Sequence, residues 1–363
     1  MVELPQTHQP TVEKIYQNYV DTNGDFRRNH LGASLIGEEC ERKLWYGFRW
    51  CSDPCFSGRM LRLFNTGFRE ESRIIKELRR IGIKVWDRDP DSGEQLHYTD
   101  PDCPHFSGSL DGIGKGFDEA PVTPHEIEIK SSGSKAFSKV KHEGVQKAKP
   151  LHYSQIQTYC RWAELDRAFY FVVNKDTDEI YSERVYYDKA FAERLADKAK
   201  RVVYSDVPLE RISKNAGNFQ CKFCPYVGPC HEKELCLISC RTCAFVTPEE
   251  NGTWTCGRSG KVIEPINQRR VQDCHIFIPD LVPMVQTDAD PEVGTITYGK
   301  ITNGPGAVLS KDLAKAIREA PKEKVEKKRG SKSDSDKYEL HMETRDTSEP
   351  DMYGVAYATG EFD

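Results

Sequence analysis

The sequence predicts a mixed α/β fold, a sheet flanked by helices, followed by a small cysteine-bearing module. Three observations carry this. HEIEIKSS (125–132) alternates apolar and charged residues at the period of a strand, AFYFVVNK (168–175) is an apolar strand, and Phe64 to Ile81 has the spacing of an amphipathic helix.

In chain order, a weak helical pattern runs from Val12 to Tyr19 and ends in the polar turn DTNGD. From Leu31, LGASLIGEECERKLWYGFRW leads into a helix with Leu44, Trp45 and Phe48 on one face. The helix from Phe64 presents Phe68, Ile74, Ile75 and Leu78 at helical spacing and carries Glu70 and Glu71. IKVWD, YTDPDCPHFSGSLDGIG and HEIEIKSS read as successive strands, with Gly112, Gly114, Gly116 and Pro121 marking a turn-rich connection. A helix over HYSQIQTYCRWAEL, the strands AFYFVVNK and DEIYSERVYY, and a helix from Asp188 to Val203 complete the core.

With 363 residues, one large domain with small appendages is expected: residues 1–236, a module over 237–283 and a C-terminal segment over 284–363. Lys322 to Glu349 is dense in both signs of charge and reads as a disordered linker. No apolar run approaches the ~20 residues of a membrane span, and MVELPQTHQP lacks the features of a secretory signal, so a cytoplasmic protein with no membrane partner is expected. The net charge of -5 argues against blanket coating of nucleic acid, and the chain has no GxxxxGK[ST] loop for an on-board ATP motor.

On a strand, Glu126, Glu128 and Lys130 share one face, and Asp111 at the end of a preceding strand reaches Glu128 if the two strands pair. Glu71, Asp111 and Glu128 are the oxygen ligands that magnesium or manganese prefers, and Lys130 is placed to hold an attacking water. Asp111 with Glu128-Ile129-Lys130 resembles the D...ExK core of the PD-(D/E)XK nuclease superfamily. Gln155-Ile156-Gln157-Thr158-Tyr159 resembles the QxxxY element of its RecB-like branch, and Gly67 to Glu71 stands where that branch carries GxxxH or GxxxE. The resemblance implies that Asp111, Glu128 and the Ile129 carbonyl bind metal, that Lys130 positions water, and that Gln155 and Tyr159 brace Lys130 or touch the DNA strand. Glu71 replaces the RecB-type histidine, as in lambda-type exonucleases. Glu70 is the competing residue, and Glu126 is expected only to flank the site.

Thirteen cysteines in a chain expected in the cytosol point to metal ligation, and eight lie between Cys221 and Cys274. Cys221-x2-Cys224-x5-Cys230 lacks a fourth ligand, which Cys236 could supply in a local zinc site. Ser34-x5-Cys40-Glu41-Arg42-Lys43-Leu44-Trp45-Tyr46 instead resembles the opening of iron-sulfur nucleases of CRISPR adaptation and AddB-type end processing. That resemblance implies a structural [4Fe-4S] cluster on Cys40, Cys221, Cys224 and Cys230. Cys240, Cys243, Cys256 and Cys274 suit a structural Zn2+, with His275 the alternative fourth ligand.

The resemblance implies a Mg/Mn-dependent DNA exonuclease acting on single-stranded ends in recombination, end processing or phage DNA metabolism, with a recombination or replication protein as a further partner. The alternatives are a structure-specific endonuclease and a non-catalytic DNA- or protein-binding module on a nuclease fold. Lys135, Lys139, Lys141, Lys147 and Lys149 could line a groove for the phosphate backbone, with His152 either beside it or packed inside.

Overall fold

Residues 9–24 and 27–319 are described by the computed structural model of the protein. Helix α1 (Pro10–Thr22) begins on a proline, whose fixed φ suits the first helical position. A short strand β1 (Leu31–Gly32) leads to α2 (Glu41–Phe48), which buries Leu44, Trp45, Tyr46 and Phe48. The Ser57 hydroxyl accepts from the Met60 N–H and caps the long helix α3 (Gly58–Arg80). Strands β2 (Lys84–Trp86), β3 (His97–Asp100), β4 (Cys103–Ser109), β5 (Gly112–Lys115) and β6 (His125–Ser132) follow. Helices α4 (Ser134–Glu143), α5 (Val145–Ala148) and α6 (Pro150–Trp162) carry the chain to β7 (Arg167–Asn174), β8 (Ile180–Tyr186) and α7 (Lys189–Tyr204).

Five strands form one mixed sheet in the order β2-β5-β6-β7-β8. Only β6 and β7 run parallel, which requires the crossover that α4 to α6 provide. Ile127 and Ile129 of β6 pack with Phe169, Phe171 and Val173 of β7 and with Ile74, Ile75 and Leu78 of α3. Ala168, Tyr170 and Val172, on the other face of β7, pack with Phe137, Ile156 and Cys160 of the crossover helices. The mixed α/β core expected from the sequence is present, with helices against both faces.

The stretch 98–114, expected as one strand, makes three. β4 pairs with β3 on one side and with β1 on the other in a separate small sheet, and β5 crosses into the main one. Gly112 and Gly114, expected in a turn, are strand residues opposite Ile127 and His125. A Cβ on Gly114 would meet the Phe117 ring and Ile127 within 2.6 to 2.8 Å, so the glycine serves close packing there.

The second half continues through α8 (Phe219–Lys222), α9 (Val227–His231), the antiparallel strands β9 (Val246–Pro248), β10 (Trp254–Cys256) and β11 (Lys261–Val262), and α10 (Pro265–Gln268). Cys243, Val246, Trp254, Ile278 and Leu281 belong to the same core as Leu44, Trp45, Phe48 and Phe106, so the segment expected over 237–283 is packed into the first domain. Two arginines hold it, each only 1% exposed. The Arg241 guanidinium lies 3.7 Å from the Trp50 ring centre and 4.5 Å from that of Trp254, and it donates to the carbonyls of Phe48 and Asn29. Arg49 donates to the carbonyls of Val246 and Ser205.

Beyond it, β12 (Gln286–Asp290), β13 (Thr295–Tyr298) and β14 (Ile301–Asn303) form an antiparallel sheet that packs, with α11 (Ser310–Glu319), on Ile276, Phe277 and Val282. The helix was expected from Ser310; the sheet was not, because β12 is exposed throughout and reads as polar turn. The charged stretch Lys322 to Glu349 lies outside the described residues. Among the described residues no helix is long and apolar enough to cross a membrane.

Candidate active site

Strand β6 sets the site. Its two isoleucines face α3, and the opposite face is covered as well, so Glu126 and Glu128 are fully buried while Lys130 is 22% exposed. The Lys130 Nζ is 2.5 Å from Glu128 Oε1. Asp111 stands in the junction between β4 and β5, and the pairing of β5 with β6 brings it alongside: its Oδ2 accepts the Ile129 N–H at 2.7 Å. Glu71 projects from α3 into the same group, where Asp111 and Glu128 act on its carboxyl. Glu70, the competing residue, is 3.5 Å from Arg73.

Burial, then the charge of Asp111, pushes Glu71 up to about 9, with Glu128 adding to this and Lys130 opposing it. Burial raises Asp111 against the pull of Lys130 and the Ile129 N–H. Glu126, expected only to flank the site, lies within it: burial holds its carboxyl well above the carboxylate range, and Glu128 and Asp111 raise it further. Four carboxyls thus surround one lysine. The signal for Glu126 was its position two residues before Glu128 on one strand face.

Helix α6 supplies the far wall. Tyr159 is buried within electrostatic reach of Glu128, Asp111, Lys130 and Arg28, and Gln155 lies one turn earlier, also buried. A Cβ on Gly108 would stand 2.8 Å from the Tyr159 hydroxyl, so that glycine in β4 lets the tyrosine approach. Arg28 reaches the site by packing on Gly32, and its Nη1 donates to the Ser34 hydroxyl at 3.2 Å. No motif in the sequence singled it out.

Cys40, Cys221, Cys224 and Cys230 line one cavity of about 310 Å³ between the start of α2 and helices α8 and α9. Their sulfurs sense one another: burial and then Cys40 and Cys230 raise Cys221, and burial pushes Cys224 up to about 11. Cys236 is elsewhere, hydrogen-bonded to the buried Cys51 thiol in the core. The fold therefore brings the distant Cys40 to the same cavity as the three clustered cysteines.

Cys240, Cys243, Cys256 and Cys274 make the second group. Burial, then the other three, pushes Cys240 up to about 11. Backbone N–H groups of Ile276 and Phe245 point at the Cys243 sulfur. Burial raises Cys256, but hydrogen bonds from the Ser259 side chain and backbone and from the Arg258 backbone outweigh it and lower the thiol. His275, the alternative fourth ligand, is engaged elsewhere in the structure. It is 2% exposed, its Nδ1 is 2.8 Å from the Ser310 hydroxyl and its Nε2 is 3.2 Å from the Thr242 hydroxyl, so both ring nitrogens are engaged. Among the described residues no group of three or more His, Cys, Asp or Glu side chains is arranged as a metal ion requires.

The lysines expected to form one groove divide. Lys141 pairs with Glu179 at 2.6 Å, Lys147 is 3.9 Å from Glu143, and Lys149 lines the cysteine cavity. His152 is buried with its Nδ1 2.6 Å from the Tyr170 hydroxyl, which is a packing role.

No family profile and no curated protein matches the chain. Among solved structures it is similar to an alkaline exonuclease, LHK-Exo from Laribacter hongkongensis, over 51% of this chain and 90% of that one, with 14% identity and a TM-score of 0.36. LHK-Exo in complex with dAMP matches over 52% and 90%, with 15% identity and a TM-score of 0.35. The structure of SSO0001 matches over 60% and 94%, with 14% identity and a TM-score of 0.33. At such identities and scores, the functional reading rests on the residues of the site.

Proposed function

We propose that this chain is a Mg2+- or Mn2+-dependent DNA exonuclease of PD-(D/E)XK type, hydrolysing phosphodiester bonds from single-stranded ends in DNA end processing. The observation that carries this reading is the gathering of Glu71, Asp111, Glu126 and Glu128 around Lys130, with Glu126 and Glu128 fully buried and Glu71 and Asp111 half-buried. Four ionised carboxyls against one ammonium would leave three negative charges in a dehydrated site, which no fold sustains without taking up protons or cations. All of these donors are oxygen, the type that a hard divalent cation prefers.

In this reading Asp111, Glu128 and the Ile129 carbonyl hold the ion, with Glu71 facing them from α3. Such an ion supplies Lewis-acid polarisation of the phosphate. Lys130 orients the attacking water and offsets charge developing on phosphate oxygens, and Tyr159 with Gln155 keeps the lysine in place from α6. Glu126 adds acceptor oxygens behind Glu128. Cys40, Cys221, Cys224 and Cys230 would hold a structural [4Fe-4S] cluster, and Cys240, Cys243, Cys256 and Cys274 a structural Zn2+; thiol donors suit both.

The test uses anaerobically purified protein with end-labelled linear and circular single-stranded DNA, in magnesium, manganese or chelator, beside Asp111→Ala. Metal-dependent loss of the linear DNA alone, absent in the variant, is the expected result. Opening of the circle would make the enzyme an endonuclease, and binding without cutting under every metal would overturn the catalytic reading.

A further inference from the structure

Helix α3 carries Glu71 on its inner side and a row of cations on its outer side. At 3.6 residues per turn, Arg62, Arg69, Arg73, Lys76 and Arg80 fall within about 60° of one another, and Glu71 projects about 180° away. All five cations are exposed. The row runs ~27 Å, with successive members of its Arg69–Arg80 part about one turn apart. The helix holds seven Lys and Arg against three Glu, a balance of +4 in a chain whose net charge is -5. One inward Glu is Glu71; the other two, Glu70 and Glu77, lie beside Arg73 at 3.5 and 3.2 Å.

Arg73 also ties the row to the sheet. Its guanidinium makes two hydrogen bonds, of 2.6 and 2.7 Å, to the Asp178 carboxylate, which lies in the turn after β7. That turn follows the ends of the parallel strands β6 and β7, where Ser132 stands opposite Asn174 and Lys130 is two residues back. The cationic row is therefore tied, at its middle member, to the end of the sheet at which Lys130 emerges.

We propose that the outer face of α3 binds the sugar-phosphate backbone of the DNA strand whose end is cut, with Arg62, Arg69, Lys76 and Arg80 contacting phosphates and Arg73 serving as the anchor. This rests on the nuclease reading and adds to it the surface that receives the substrate. Evenly spaced cations on a rigid rod give phosphate binding without sequence preference, which a strand-degrading enzyme needs.

The experiment measures binding of fluorescein-labelled oligo(dT) to the full chain by anisotropy in chelator, between 50 and 200 mM salt, for the native protein and the triple variant Arg69→Ala/Lys76→Ala/Arg80→Ala. The slope of log affinity against log salt is expected to shrink by about 2, at roughly 0.7 for each lost single-strand phosphate contact, with affinity at least tenfold weaker. Unchanged affinity and slope in a variant that melts like the native protein would overturn the proposal. Lys76→Gln, a single exposed change that leaves the fold intact, is expected to shift the slope by ~0.7. With a labelled duplex of the same length measured alongside, a loss on the duplex but not on oligo(dT) would overturn the single-strand assignment. Native protein that binds no DNA would instead refute the nuclease reading, so the two failures are distinct.

Discussion

The five-stranded sheet and the cysteine-bearing segment from Cys236 to Val282 are held by opposite means. Strand β7 is buried from Ala168 to Asn174, and its side chains pack continuously on both faces. The strands of the cysteine segment are two or three residues long, and the segment is pinned to the core by two arginines that donate to backbone carbonyls. The difference shows where each region can carry charge. A rigid apolar lattice can hold the buried carboxyls of Glu126 and Glu128 against their preference for water, because the packing around them supplies the stability they remove. A segment built of such short strands depends more on directional bonds.

The comparison breaks first at Lys130. Lys130→Ala is expected to lower cleavage by about 10² to 10⁴-fold with only a small change in unfolding midpoint; near-normal cutting would remove the lysine from the chemistry. Arg241→Ala reverses that pattern. Truncation leaves the carbonyls of Phe48 and Asn29 without their donor and opens a space between Trp50 and Trp254, so a loss of about 3 to 5 kcal/mol in urea unfolding is expected, with the folded fraction still active. A loss below 1 kcal/mol would show that the segment docks by apolar contact alone.

The sheet has a pH signature that sharpens the contrast. Glu71 is pushed up to about 9 in the folded protein, so the stability tied to its neutral carboxyl is complete below pH ~4.5 and is lost as pH rises through 9. Metal-free protein is expected to lose up to ~4 kcal/mol between pH 6 and pH 9 from this one proton, and Glu71→Gln to flatten the curve. A variant with an unchanged slope would place the titration elsewhere. The smallest effect belongs to Cys236→Ser, expected to cost no more than ~1.5 kcal/mol and to leave iron and zinc content unchanged, while Cys256→Ser is expected to lose zinc. Loss of iron in Cys236→Ser would return that cysteine to the first metal set.

Much of the sheet was legible because its signals are local. The alternation in 125–132, the apolar run in β7 and the helical spacing of α3 depend only on residues near one another. The approach of Asp111 to Glu128 was legible too, since it follows once β5 and β6 pair. The burial of Glu126 was not, because alternation says which residues share a face but not whether helices cover it on both sides. The engagement of His275 by Ser310 and Thr242 spans 35 and 33 residues and leaves no spacing to read. Strands β12 to β14 were missed because hydrogen bonding between neighbours, more than apolar pattern, defines them.

The cavity shared by Cys40 and Cys230 also imposes an order in time. The two cysteines are separated by 190 positions, the difference of their residue numbers. At ribosomal speeds of about 5 to 20 residues per second, Cys40 emerges roughly 10 to 40 seconds before Cys230 is made. Throughout most of that interval the Cys40 thiol waits without the three cysteines that share its cavity, and the sheet between them has time to form before the cavity can close around anything.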